Sequence, residues 1–165
     1  MLKYNEEIDI FMDNQNVSLI IGDNKFNYRV AVLIENNGRV LLENSGDFWN
    51  MVGGRVHIGE SSLETAKREL KEELGIEILD LKLINVSENF FEWMGKHQHE
   101  MLFVYKVDLD NNYEITQKDN FKCLDSDEIF KWHKIDDIDS LVCKPAIIKE
   151  LAKRDNNQIT HTIEK

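Results

Sequence analysis

An α/β fold with a mixed β-sheet between helices is what this sequence predicts, and three observations carry that reading. Strand-patterned apolar segments alternate with helix-patterned ones along the chain. One helix-patterned stretch, at 61–75, interrupts the strands, and another, at 145–154, closes the chain. The 165 residues include a single proline and only eight glycines, enough length for a core and no sign of a long linker. Residues 1–165 therefore read as one domain.

Residues 1–25 form an N-terminal extension. Strand or hairpin segments are expected near 8–12 and 17–21, with turn signals at Asn14 and at Gly22-Asp23-Asn24. Residues 28–35 are apolar and β-branched enough for a buried strand. Asn36-Asn37-Gly38 is a hairpin turn, and 39–43 is the returning strand. A loop at 45–48 and a short approach at 49–52 lead into Gly53-Gly54. Without side chains, that pair lets the backbone come close to a ligand and offers its carbonyl oxygens to a metal.

The next stretch has both helix ends written into it. Ser61 is an N-cap with Glu64 three residues on, a capping box, and Gly75 suits a left-handed C-terminal cap. Leu63, Ala66, Leu70 and Leu74 recur at the spacing of one apolar stripe. At about 100° per residue, Glu69 and Glu73 sit side by side at the edge of that stripe, where helix meets sheet. Glu72 lies further round, towards solvent. Arg68 is four residues from both Glu64 and Glu72 and can brace either. Acids gathered this tightly repel, so something should neutralise them. A solvated acidic face is one answer. A hard divalent ion such as Mg²⁺, which prefers oxygen ligands and is commonly shared with substrate phosphates, is the other.

Beyond the helix, 79–93 reads as a long strand with a bulge, Met94-Gly95-Lys96 as a turn, and 98–109 as the returning strand. There His99, Met101, Phe103 and Tyr105 share one face, and Glu100, Leu102, Val104 and Lys106 the other. A polar loop at 110–120 is followed by a short strand at 128–134 containing Trp132. The closing helix at 145–154 carries Pro145 in its first turn, and the polar tail from Asp155 is expected to fray.

Charge narrows the partners. Lys and Arg number 20 against 31 Asp and Glu, a net charge of −11. That balance disfavours long nucleic acid and anionic membranes, which require local cations, but not a small phosphorylated ligand arriving with Mg²⁺. Cys123 and Cys143 lack metal-type spacing and are expected to be reduced and buried; a zinc site joining them with His133 has no paired motif behind it. The N-terminal stretch is acidic and lacks an apolar run of signal-peptide or membrane-span length, so a cytoplasmic location is expected.

Gly54, five residues, Glu60, seven residues, then Arg68-Glu69-Leu70-x-Glu72-Glu73-x-Gly75-Ile76 resembles the Nudix box at nine specified positions of a 23-residue frame. The approach Trp49-Asn50-Met51-Val52-Gly53-Gly54 is similar too, except that Val52 stands where many members have proline. The resemblance implies a Nudix α/β/α sandwich. It also implies hydrolysis of a nucleoside diphosphate linked to a group X, with Mg²⁺ (Mn²⁺ as substitute) and water attacking phosphorus. Carried over residue by residue, Glu69 and Glu73 match the principal metal ligands, Glu72 a further ligand and the Gly53 carbonyl a backbone ligand. Glu69 is the first candidate for general base. Arg68 would orient the carboxylates, Glu60 would brace the loop, and Gly54 and Gly75 would be structural.

Many members add a carboxylate from outside the box, for which Glu128 and Glu100 are the two candidates. Arg55, His99 and Phe91 are the candidate substrate contacts. For His99 and its neighbour His97 the alternative is a polar strand start; for Phe91, with Phe90 and Trp93, it is the core. His57, His133 and His161 carry no argued role. Nucleoside triphosphates (oxidised ones included), ADP-ribose, dinucleoside polyphosphates and nucleotide sugars all remain open as substrates. So does a homodimer through the N-terminal strands. The competing function is a non-catalytic Nudix-like nucleotide-binding or regulatory module, which loss of a box carboxylate would favour; none is lost. An isomerase or decapping role is weakened by the absence of a basic surface.

Overall fold

The computed structural model describes residues 15–165 of the chain. Its centre is β2 (Asn24–Asn36), whose run VAVLI, residues 30–34, is buried on both faces. One edge of β2 pairs in parallel with β6 (Lys96–Asp108), from Asn24↔His97 to Glu35↔Asp108. The other edge is shared by three partners. β1 (Ser18–Ile21) takes its start, residues 52–56 its middle, and β3 (Arg39–Asn44) its end. The middle partner positions the site, because Val30 N donates to the Gly54 carbonyl at 2.9 Å and Val32 N to the Val52 carbonyl at 2.8 Å.

The sheet is completed by β4 (Trp49–Asn50) beside β3, β5 (Lys82–Trp93) beside β6, β7 (Asn120–Lys122), β8 (Ile129–Lys134) and β9 (Thr160–Glu164). Its main path runs β7-β8-β3-β2-β6-β5-β9. The β2–β6 and β5–β9 pairs are parallel and the others antiparallel, so the sheet is mixed. The β2–β3 turn has Asn37 and Gly38 at positive φ, the conformation expected of Asn-Gly. The long strand β5 carries the expected bulge, between Leu83 and Asn85.

Alternation along the strands divides the core into two layers. Val30, Val32, Ile34 and Leu41 pack with Ala66, Leu70 and Leu74 of α1 (Ser62–Leu74). Ala31, Leu33, Val40, Leu102 and Val104 pack with Ile148 and Leu151 of α2 (Ile148–Lys153) on the opposite face. Helices therefore flank a mixed sheet. Cys123 and Cys143 are both buried and free, and they lie one in each layer, which rules out a zinc site built on the pair.

Several expectations need correcting. The tail from Asp155 does not fray throughout: Thr160–Glu164 is a parallel strand on β5. Asn85, Ser87 and Thr162 hold it by side-chain hydrogen bonds, Asn85 Nδ2 donating to Thr160 Oγ1 at 2.9 Å. The closing helix is shorter than 145–154, running from Ile148 to Lys153, and Glu164 of that strand accepts from the Ala146 and Ile147 backbone N–H groups in the turn before it. Leu63 is 37 % exposed and lies outside the core; the buried face of α1 instead includes Thr65, Glu69 and Glu73. The loop at 110–120 contains a 3₁₀ turn, Glu114–Gln117, held by Trp132 Nε1 donating to the Ile115 carbonyl at 2.9 Å. The strand segment expected at 8–12 lies outside the described residues.

Candidate metal and catalytic centre

Local chemistry sets the position of α1 before any ligand is considered. Ser61 and Glu64 form the reciprocal capping box, and Gly75 ends the helix at φ 69° with its N–H on the Leu70 and Lys71 carbonyls. Fixed at both ends, the helix turns Glu69 and Glu73 inward, where they are 7 % and 8 % exposed. Glu72 is far more open, its side chain 46 % exposed.

Arg68 ties this acidic stretch to the preceding loop. Its Nε donates to Glu60 Oε1 at 3.0 Å, its Nη1 to Glu69 Oε1 at 2.8 Å and to Glu72 Oε2 at 2.9 Å, and its Nη2 to the Arg55 carbonyl at 3.1 Å. Glu60 also accepts from Thr65 Oγ1 at 2.9 Å and the His57 N–H at 3.3 Å. The Arg68 hydrogen bond leads these in holding the Glu60 carboxyl down at about 2. The glycines fit around the acids. A Cβ on Gly54 would lie 2.5 Å from Glu69 Cδ, and one on Gly53, at φ +152°, would lie 2.8 Å from Ala31 Cα.

Glu73 is the least compensated group. Burial, then repulsion by Glu43, Glu69 and Asp125, pushes its carboxyl up to about 9, against a hydrogen bond from the Gly53 N–H. Its Oε2 is buried with no hydrogen-bond partner among the described residues. Burial raises Glu69 as well, partly offset by Arg68. Glu43, at the end of β3 and on the α1 face with Leu41, is pushed up to about 8 by burial and by the Glu128 carboxyl beside it.

The β7–β8 loop closes this side of the cluster. Leu124 N donates to the Glu73 carbonyl at 3.0 Å, Cys123 N to the Glu128 carbonyl at 2.9 Å, and Ser126 Oγ to Glu128 Oε2 at 2.9 Å. Carboxylate oxygens of Glu43 and Glu73 and the Cys123 sulfur lie within 4.8 Å of one another. Buried carboxylates that repel one another, one of them with an orphaned oxygen, fit a divalent cation. Glu43, Glu69 and Glu73 are the carboxylates gathered here, and Glu72 and the Gly53 carbonyl are the further groups that could hold such an ion.

Glu128 is thus brought to the cluster, but Glu100 is not. Glu100 lies on the α2 face of β6, where it accepts from Asn89 Nδ2 at 2.9 Å and faces Arg29 Nη1 at 3.7 Å. The Arg29 charge is also felt by Glu43 and Glu69. His99 and Phe91 are elsewhere, lining a cavity of about 740 Å³ with Phe26, Phe90 and Lys25. The His99 ring stacks on Phe90 at 4.5 Å and meets Phe26 edge-on at 5.4 Å. Phe26 precedes Val30 by four residues of strand, roughly 13 Å from the glycine pair. Phe90, Phe91 and Trp93 are not core: they are 36 %, 43 % and 52 % exposed. Arg55, the second residue of the 23-residue frame, follows the glycine pair, its backbone bridged to Arg29.

Glu43, Asp125, Cys123 and Arg29 were missed from the sequence. Only Glu43 left a signal there, since alternation from Leu41 puts it on the same strand face.

A family model described as the NUDIX domain matches residues 25–154. The chain is 33 % identical over 78 residues to the CTP pyrophosphohydrolase of Escherichia coli, covering 44 % of this chain and 50 % of that protein. It is 35 % identical over 89 residues to the oxidized purine nucleoside triphosphate hydrolase of Danio rerio, covering 50 % of this chain and 53 % of that one. The chain spans about half the length of the curated relatives it matches. The crystal structure of a MutT protein from Bacillus halodurans superposes with a TM-score of 0.62 at 25 % identity, covering 82 % of this chain and 89 % of that one. Among the described residues no helix is long and apolar enough to cross a membrane.

Proposed function

The chain belongs to the Nudix family, and on that premise we propose that it hydrolyses a pyrophosphate bond in a small nucleotide, a nucleoside diphosphate linked to a group X. One observation carries the reading. Glu73 Oε2 is buried and unpartnered among the described residues, in a cluster where Glu43, Glu69 and Asp125 all add negative charge. Such a cluster costs stability unless a cation neutralises it, and Mg²⁺, with Mn²⁺ as substitute, suits its oxygen donors.

When bound, the metal supplies charge neutralisation for the pyrophosphate and lowers the pKa of the attacking water. The rest falls to the chain's own residues. Glu69, Glu72, Glu73 and the Gly53 carbonyl would hold the ion, and Gly53 and Gly54 keep the approach free of side chains. Glu69 is the candidate to take the proton of the attacking water. Its Oε1 is held by Arg68 at 2.8 Å, which leaves Oε2 to accept. Arg68 orients Glu69 and Glu72 together, and Glu60 fixes Arg68. Glu128, beside Glu43, is the carboxylate from outside the box. Arg55, next to the glycines, is the nearest of the three candidate substrate contacts. His99 and Phe91, in the separate cavity, suit a distal part of the substrate. The net charge of −11 leaves few local cations for long nucleic acid, whereas the bound cation would screen the acids at the site itself, so the partner is a small phosphorylated molecule.

The test is product release from a panel of nucleoside triphosphates, ADP-ribose, dinucleoside polyphosphates and nucleotide sugars with Mg²⁺, with Glu73→Gln as control. One substrate favoured over the rest, its turnover abolished by the substitution, supports the reading and names the group X. No turnover, with nucleotide binding still seen by calorimetry, transfers the function to a non-catalytic binding module.

A further inference from the structure

The carboxylate cluster contains a thiol that the hydrolytic reading does not use. Cys123 opens the β7–β8 loop and is 4 % exposed. Its Sγ lies within 4.8 Å of both a Glu43 and a Glu73 carboxylate oxygen. The three donors come from three separate elements: the end of β3, the last turn of α1, and the loop. Two backbone hydrogen bonds hold the loop there, Leu124 N to the Glu73 carbonyl at 3.0 Å and Cys123 N to the Glu128 carbonyl at 2.9 Å. Independently of the sulfur, the buried Oε2 of Glu73, a residue 8 % exposed, lacks a hydrogen-bond partner among the described residues.

We propose that Glu43, Glu73 and Cys123 form a cation position with one sulfur ligand, and that it takes a thiophilic divalent ion, Zn²⁺ or Co²⁺, in preference to Mg²⁺. The proposal rests on reading this cluster as a divalent-cation centre. The geometry fits with little movement. A tetrahedral ion holding sulfur at ~2.3 Å and a carboxylate oxygen at ~2.1 Å sets the two donors about 3.6 Å apart, a separation side-chain rotation can reach from within 4.8 Å. Mg²⁺ demands oxygen ligands in near-ideal octahedral geometry, whereas sulfur ligation favours Zn²⁺ and Co²⁺. The thiol now donates to Asp125 Oδ1 at 2.9 Å. On coordination its proton passes to the buffer, and the sulfur binds as thiolate. Because Glu73 is shared with the hydrolytic centre, an ion held by Cys123 also competes with Mg²⁺ there. Zn²⁺ would thus inhibit Mg²⁺-dependent turnover, and Cys123 would set the threshold.

The experiment is a titration of the metal-free full chain with Co²⁺ alone, followed by near-ultraviolet absorption and, in parallel, by calorimetry. A thiolate-to-cobalt charge-transfer band that saturates at one ion per chain is expected. Cys123→Ser should abolish the band while Cys143→Ser retains it, and Glu43→Gln should weaken Co²⁺ binding roughly tenfold or more. Co²⁺ binding without the band overturns the proposal, as does no Co²⁺ binding or a band that survives Cys123→Ser. If Cys123→Ser fails to fold, Cys143→Ser decides the matter, because it leaves Cys123 as the one thiol of the chain. Mg²⁺-dependent hydrolysis by the same preparation separates the two readings. Turnover without a band removes the sulfur ligand and leaves the hydrolase. A band without turnover supports the sulfur ligand and removes the hydrolase.

Discussion

Arg68 donates from Nε to Glu60 Oε1 at 3.0 Å, joining the middle of α1 to the loop that follows the glycine pair. The same guanidinium holds Glu69 and Glu72, so Glu60 positions the acidic cluster through Arg68 and does not itself reach it.

That bond has a definite pH signature. The folded Glu60 carboxyl is held at about 2 against an ordinary 4.5, chiefly by the Arg68 hydrogen bond. A carboxyl depressed by folding adds stability that is complete above pH 4.5 and is lost as pH falls towards 2. Glu60→Gln should therefore cost about 1 kcal/mol at pH 7, kept small because water still reaches the pair, and much less near pH 2. Thermal melts of both proteins across that range should converge at the acid end.

The opposite sign holds for Glu73. Its folded carboxyl, raised to about 9, keeps its proton at pH values where the unfolded chain has lost it. Without divalent cations, stability should fall as pH rises from about 5 to 9, by up to about 1.4 kcal/mol per pH unit for one such group. Mg²⁺ should flatten the slope, and Glu73→Gln should remove the Glu73 share of it, leaving the part that Glu43 and Glu69 contribute, along with most of the Mg²⁺ effect. Melting temperature against pH, with and without Mg²⁺, reads both.

The adjacent glycines should fail differently. Alanine at Gly54 crowds the Glu69 carboxylate, a side chain that can give way, so Gly54→Ala should fold and lose turnover by roughly 100-fold. Alanine at Gly53 meets the β2 backbone at φ +152°, so Gly53→Ala should first lower stability, by about 2 kcal/mol or more. Melting curves beside steady-state kinetics distinguish the two.

Glu128 and Glu100 can be told apart in the same assay. Glu128→Gln should lower kcat/KM by about 10-fold or more with little change in melting. Glu100→Gln should act mainly on stability, because it leaves Arg29 facing a neutral amide; the penalty should be about 1–2 kcal/mol. The reverse pattern would move the outside carboxylate to Glu100.

The sequence by itself determined the helix of the centre: Ser61, Glu64 and Gly75 act over a single turn, and the turn of the helix turns Glu69 and Glu73 inward and leaves Glu72 exposed. It determined the Asn37-Gly38 hairpin and the long strands for the same reason, since caps, turns and periodicity are short-range chemistry. What lay beyond reach depended on contacts between segments distant in the chain. The tail became β9 because Asn85 and Ser87, buried on β5, needed partners some 75 residues on, and Glu164 then came to cap the turn before the closing helix. Phe90, Phe91 and Trp93 look like core residues in the sequence, yet at the far end of β5, beyond the last β9 pair at Asn89, they are exposed. Glu100 and Glu128 were indistinguishable until the β2–β6 register assigned one to the α2 face and the docking of the β7–β8 loop on Glu73 brought the other to the cluster. The same docking placed Cys123 among the acids, because only tertiary structure brings the end of β3, the last turn of α1 and that loop to one point.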